Sequence, residues 1–144
     1  MRILIFGLPG SGKSTFAIFL RKILTTHERK PIWINADQVR QEHNDWDFTE
    51  VGRMRQAARL HNITGYAKNV YIVDFVCPTA ETRKAFAPDI TIWMDTIEKG
   101  RYEDTNKIFQ QPDPSFVDHT ITDWTIESHQ TTAEAIKKRI YGDD

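Results

Sequence analysis

The chain is short of several things at once. It carries one cysteine, Cys77, so no disulfide can form within it; a secreted, disulfide-framed architecture is excluded and a reducing compartment is expected. No apolar run approaches the roughly 20 residues that a membrane span requires. The apolar opening stops at Gly7, short of the about 7–15 residues of a secretory segment, so it reads as a buried strand. A cytoplasmic protein without a membrane partner is expected. An excess of one charge is also missing: 19 Lys+Arg stand against 20 Asp+Glu, for a net charge of -1. Partners such as nucleic acid or an anionic bilayer reward a strongly basic surface, so neither is expected as the main one, although local basic patches remain open. There is no internal repeat and no low-complexity tract. With 144 residues, 40% of them hydrophobic, the chain has room for a full core in one domain spanning 1–144 and none for a second.

What is present is an alternation of apolar runs and helix-period segments. Residues 2–6 read as a strand covered on both faces, and 14–24 place Phe16, Ala17, Leu20 and Leu24 on one helical stripe. A second strand is expected over 31–35, and a helix over 49–60 with Val51, Met54, Ala58 and Ile63 facing inward and Gly65 ending it. Residues 69–75 (NVYIVDF) form the strand richest in β-branched and aromatic side chains, followed by a helix over 80–86 and a strand over 89–94. Residues 99–115, polar and interrupted by Pro112 and Pro114, read as a broken helix or mobile loop, and 116–122 as a last strand. Thr131 and Glu134 have capping-box spacing, which predicts the start of a C-terminal helix. Five strands alternating with helices imply an α/β fold with a parallel five-stranded sheet and helices on both faces. Ligands in such sheets bind outside the carboxyl ends of the strands, so chemistry is sought near Gly7, Asn35, Phe75 and Asp95.

At the first of these places the sequence reads GLPGSGKST over 7–15, satisfying G-x-x-x-x-G-K-[ST]. Glycines let the chain curl so that successive N–H groups point at phosphate oxygens, and the following helix adds the positive end of its dipole. Gly7, Leu8, Pro9, Gly10, Ser11, Gly12, Lys13, Ser14 and Thr15 are therefore expected to bind ATP. Lys13 would bridge the β- and γ-phosphates and the Ser14 hydroxyl would ligate Mg²⁺. The motif follows a buried-type strand and opens an amphipathic helix, the context that distinguishes it from a chance match.

The other strand ends are less specific. Asp74 closes the strand VYIVD, where it suits either the Mg²⁺ shell or a loop cap paired with a surface arginine. Asp37 follows the second strand; it could orient or deprotonate an acceptor hydroxyl, with Arg40 on an anionic group of the acceptor, or it could cap a helical turn. Arg55 and Arg59, four apart, suit a solvated helix face, whereas Arg53, nearest the strand ends, is the better anion ligand. Phe48 is open between a hydrophobic staple and a platform for a flat ring. Trp46 and Trp124, in polar surroundings, fit either an interface, as in a homodimer, or ordinary rim positions.

In order, the segments GLPGSGKST, NADQVR, WDFT, GRMRQ, FVCP and EDTNKIF resemble the adenylylsulfate kinases, over residues of about 7–109. That family uses a P-loop, D-G-D-N-V-R, L-G-F-S, D-R-x-x-N, F-I-S-P and a lid with R-D-x-K-G-L-Y to transfer the γ-phosphate of ATP to the 3'-hydroxyl of adenosine 5'-phosphosulfate. The resemblance implies a P-loop kinase fold, a lid over about 99–115 and a small nucleotide acceptor. It also implies that Asp37 lies beside the acceptor hydroxyl, Arg40 and Arg53 contact the nucleotide sulfate, and Phe48 stacks on the acceptor adenine. Gln56, Phe75, Val76 and Cys77 would line the acceptor pocket, and Lys107 would match the lid lysine. This chain differs at Ala36 (glycine in the family), Gln56 (asparagine), Cys77 (serine) and Glu103 (the arginine near the transferring phosphate), and one residue is missing between Arg40 and Phe48. A reversal from arginine to glutamate removes transition-state neutralisation. Two alternatives therefore stay beside the leading reading: a P-loop kinase for another hydroxyl, such as a polynucleotide 5'-end or a nucleoside, and a nucleotide-binding module without transfer. A switch GTPase is disfavoured by the lack of an N-K-x-D segment.

Overall fold

The computed structural model of the chain describes residues 1–142; the last two residues of the expected 1–144 domain lie outside them. Five strands form a single parallel sheet in the order β2-β3-β1-β4-β5. They are β1 (Arg2–Phe6), β2 (Ile32–Asn35), β3 (Tyr71–Asp74), β4 (Ile90–Met94) and β5 (His119–Ile121). The helices are α1 (Lys13–Leu24), α2 (Ala36–Glu42), α3 (Glu50–Ile63), α4 (Ala80–Phe86), α5 (Glu103–Ile108) and α6 (Ile126–Tyr141). Central β1 pairs with β3 on one side (Arg2 opposite Tyr71) and β4 on the other (Ile3 opposite Ile90).

The period of two along β1 sorts the core. Ile3 and Ile5 point to one face, where they pack with Phe16, Ala17, Leu20 and Leu24 of α1 and Ala133 and Ile136 of α6. Leu4 and Phe6 point to the other, against Val39 of α2, Ala57 and Leu60 of α3 and Phe86 of α4. Both faces are covered, which explains why β1 and β4 read as continuous apolar runs. Among the described residues no helix is long and apolar enough to cross a membrane.

Three local expectations are corrected. The inward face of α3 is Gly52, Gln56, Ala57 and Leu60; Val51 is 70% and Ile63 44% exposed, Ala58 is exposed and Met54 is half-buried. Contact selects this face: a side-chain carbon on Gly52 would collide with the Asp47 carbonyl, so α3 packs there through a residue that carries no hydrophobic signal. Gly65 lies just past the end of α3, whose C-cap is Thr64. Helix α6 begins at Ile126, well before Thr131, because Thr125 accepts a bond from the Ser128 N–H at 3.2 Å and caps it earlier. Its first inward residue is His129, which hid the apolar period. Finally, a short helix, α2, follows β2 directly. Asn35 is its N-cap, accepting from the Gln38 N–H at 3.1 Å, so Asp37 is not needed as a cap. The 99–115 segment contains α5 and the start of a 3-10 turn at Pro114–Phe116, which takes the first residue of the expected 116–122 strand, so that β5 begins at His119.

Candidate active site

The loop between β1 and α1 curls as its glycines require, with Gly10 at φ 87° and Gly12 at φ 95°, in the left-handed region open to glycine. Pro9, Gly10, Gly12, Lys13, Ser14 and Thr15 line a cleft of about 770 Å³ at the carboxyl ends of the strands. Ser11 is wholly buried behind the loop, and Gly7 and Leu8 also lie outside the lining. The Lys13 ammonium donates to the Leu8 carbonyl at 2.9 Å. Burial pushes the Lys13 pKa down to about 8, against the pull of Asp74 and Asp37; Arg101 lowers it further.

Asp74, at the end of β3, meets the start of α1. It accepts from the Ser14 hydroxyl at 3.3 Å, the Asn35 amide at 3.0 Å and the Trp33 indole N–H at 2.6 Å. Burial raises its pKa, and the Trp33 bond, the Lys13 charge and the Ser14 and Asn35 bonds oppose that rise. Neither a loop cap nor a surface arginine accounts for this arrangement. Ser14 and Asp74 present adjacent hard oxygen donors of the kind that suit Mg²⁺, which keeps several waters and takes its remaining ligands from substrate phosphates. Among the described residues no cluster of three or more His, Cys, Asp or Glu forms an all-protein metal cage.

The opposite wall is built from α2, the 43–49 loop and α3. Asp37, in the first turn of α2, is exposed into the cleft, and its charge reaches Lys13. Arg40 is buried; its Nη1 donates to the Asp45 and Asp47 carbonyls at 3.1 and 3.2 Å, and its guanidinium carbon sits 4.5 Å from the Phe48 ring centroid. Arg53 lies 5.4 Å from the same centroid, and its Nε donates to the Phe48 carbonyl at 2.8 Å. Phe48 remains 52% exposed and lines the cleft with both guanidinium groups near its ring, so it is a ring presented to the cleft rather than a staple. Arg55 and Arg59 both grip Asp45, at 2.9 and 2.8 Å, so they are tied to the loop that carries Phe48 rather than merely solvated. These bonds, with Arg55 first, hold the Asp45 carboxyl well below the ordinary carboxylate range.

Gln56 lines the cleft but is committed to the protein. It is 2% exposed, donates to the Ala36 carbonyl at 2.9 Å and accepts from Arg59 at 2.8 Å. Phe75, Val76 and Cys77 line the cleft beyond β3. Cys77 is fully buried at φ 46°, its thiol pushed up to about 12 by burial.

The 99–115 segment departs from expectation. Lys107 is exposed and lies outside the cleft lining, because α5 turns Asp104 and Thr105 inward and a residue two positions past Thr105 points about 200° away. Glu103 also lies outside the lining, whereas Arg101 and Tyr102 belong to it. Arg101 lies two residues ahead of the segment that resembles the lid motif, and its position directly after Gly100 is the one sequence signal that marks it. Trp33 and Asn35, two apart on β2, share a face, and Asn35 stands at a strand end where chemistry is expected, but nothing in the local pattern signals that both reach Asp74.

A family model described as adenylylsulphate kinase matches residues 1–99, stopping just before the segment that carries Arg101. No curated protein matches. Among solved structures, the chain is similar to the Mycobacterium tuberculosis APS kinase CysC in complex with AMPPNP and APS. The TM-score is 0.77 at 20% identity, covering 94% of this chain and 96% of that one. It is also similar to a gluconokinase from Sinorhizobium meliloti 1021 (TM-score 0.68, 11% identity, 97% and 95% covered). A shikimate kinase from Acinetobacter baumannii in complex with shikimate scores 0.60 at 18% identity, with 99% and 94% covered. These likenesses give the P-loop kinase fold. Matched over more than two-thirds of its length, and with the phosphate loop, its lysine and the wall from α2, the 43–49 loop and α3 in one cleft, the chain belongs to the adenylylsulphate kinase family and is an ATP-dependent kinase that phosphorylates a hydroxyl.

Proposed function

We propose that the acceptor is adenosine 5'-phosphosulfate and the reacting group its 3'-hydroxyl. The observation that carries this reading is Phe48, half exposed on the cleft wall facing the phosphate loop, with the Arg40 and Arg53 guanidinium groups 4.5 and 5.4 Å from its ring centroid. An exposed ring flanked by two guanidinium groups suits a ligand with a flat base and a strongly anionic tail. Shikimate or gluconate, the acceptors named for two structural relatives, have no aromatic ring for that surface.

In the proposed reaction Lys13 and the loop amides cradle the triphosphate, and Arg101 faces it from the 99–115 segment, acting as a lid. Ser14 and Asp74 would hold Mg²⁺, which supplies neutralisation of phosphate charge when bound. Asp37 accepts a hydrogen bond from the acceptor hydroxyl, aligns it for in-line attack on the γ-phosphorus and takes its proton as the new P–O bond forms; the β–γ bridging oxygen leaves with ADP. The buried, single thiol fits a cytoplasmic protein. The test is incubation with γ-labelled ATP and Mg²⁺ against adenosine 5'-phosphosulfate, a 5'-hydroxyl oligonucleotide, shikimate and no acceptor. Label on the nucleotide sulfate alone is expected. Label on the oligonucleotide or on shikimate, or ATP binding without transfer, would overturn the acceptor assignment.

A further inference from the structure

Trp124 lies outside the cleft lining, on the turn between β5 and α6, yet it touches the phosphate loop. Its indole N–H donates to the Ser11 carbonyl at 3.0 Å. The Thr96 hydroxyl, just beyond β4, donates to the same oxygen at 2.7 Å. Two donors from two different strand ends thus converge on one backbone carbonyl of a wholly buried residue. The mount is firm: Asp123 accepts from the Thr125 N–H and hydroxyl at 3.0 and 2.6 Å, and Thr125 caps α6.

A trans peptide is planar, so the Ser11 carbonyl and the Gly12 N–H point in opposite directions. Pulling the oxygen outward therefore turns the Gly12 N–H inward, toward the cleft that Gly12 lines. A flip of this peptide would present a carbonyl dipole to the polyanion in place of a donor. Gly12 permits the contact, since a side-chain carbon there would lie 2.7 Å from the Trp124 nitrogen. That same absence of a side chain leaves the peptide free to rotate unless something holds it.

We propose that Trp124 and Thr96 are positioning residues that lock the Ser11–Gly12 peptide in its phosphate-binding orientation. The proposal rests on ATP being the ligand of this loop. One neutral hydrogen bond contributes about a fivefold change in an equilibrium. Calorimetric ATP affinity, with Mg²⁺, is measured for the wild type, Trp124→Phe, Thr96→Val and Thr96→Ser, together with the melting temperature without nucleotide and the KM for adenosine 5'-phosphosulfate. Trp124→Phe and Thr96→Val are each expected to weaken ATP binding about fivefold, with Thr96→Ser within about twofold of wild type and the acceptor KM unchanged. If Trp124→Phe melts early, the contrast between Thr96→Val and Thr96→Ser still reads the lock. ATP affinity within about twofold of wild type in both Trp124→Phe and Thr96→Val would overturn it. Failure of the wild type to bind ATP would overturn the donor assignment instead.

Discussion

Lys13 is most informative when its proton is removed rather than its side chain. Burial lowers its pKa from 10.5 to about 8, so the ammonium titrates within reach of ordinary buffers. In the free enzyme it is about nine-tenths charged at pH 7, half charged near pH 8 and about one-tenth charged near pH 9. If the charged form binds the triphosphate, kcat/KM for ATP falls about tenfold per pH unit above pH 8, because that ratio reports the free enzyme. A bound polyanion favours the ammonium, so kcat itself persists to higher pH. Stability moves the other way. Between about pH 8 and 10.5 the unfolded chain still binds a proton that the folded chain has released, so stability rises with pH. Over about pH 7 to 9.5 the gain is about 2 kcal/mol relative to Lys13→Met, which lacks the titrating group. The assays are steady-state kinetics at saturating acceptor and denaturant unfolding of both proteins across that range. A flat kcat/KM for ATP up to about pH 9.5, with parallel stability curves for wild type and Lys13→Met, would refute the argument.

Two further predictions concern residues whose roles differ from their sequence positions. Arg101→Ala should lower kcat by roughly tenfold or more, through lost neutralisation of the transferring phosphoryl group, whereas Glu103→Ala should leave kcat within about twofold; single-turnover kinetics with saturating ATP read the contrast, and equal losses would contradict it. Gln56→Leu leaves the Ala36 carbonyl and one face of Arg59 without their partner, and should cost about 1–3 kcal/mol of stability. At about 2–4 °C per kcal/mol for a chain of this size, thermal unfolding resolves it, and an unchanged melting temperature would show that the amide is replaceable.

How far the molecule can be read from its residues differs by region. The sheet was legible because β1 and β4 are buried on both faces and carry unbroken apolar runs, and the phosphate loop because its glycines, lysine and hydroxyl each have a fixed task. Helix α3 was placed correctly but turned to the wrong face. Its contact positions carry Gly52 and Gln56, chosen for close approach and hydrogen bonding, and hydrophobic period registers neither. The start of α6 was hidden in the same way by His129. In the cleft, Asp37, Arg40, Phe48, Arg53 and Asp74 were anticipated from their places at strand ends or near a helix start, and the structure gathers them around one cavity. Lys107 was assigned by motif alignment alone, and the helical phase of α5 carries it away. Arg101 and the Trp33 bond to Asp74 depend on how loops fold back over distant strands, which local pattern does not encode.

The central claim is that the Arg40–Phe48–Arg53 wall reads a flat, anionic acceptor, and the most direct measurement is the KM for adenosine 5'-phosphosulfate in Phe48→Ala and Arg53→Ala. Stacking of a base on an aromatic ring is worth about 1–3 kcal/mol, so Phe48→Ala should raise that KM by about fivefold or more. Arg53→Ala should raise it comparably through the lost charge-assisted bond, and the KM for ATP should stay near its wild-type value in both. Unchanged transfer to adenosine 5'-phosphosulfate in both variants would contradict the account.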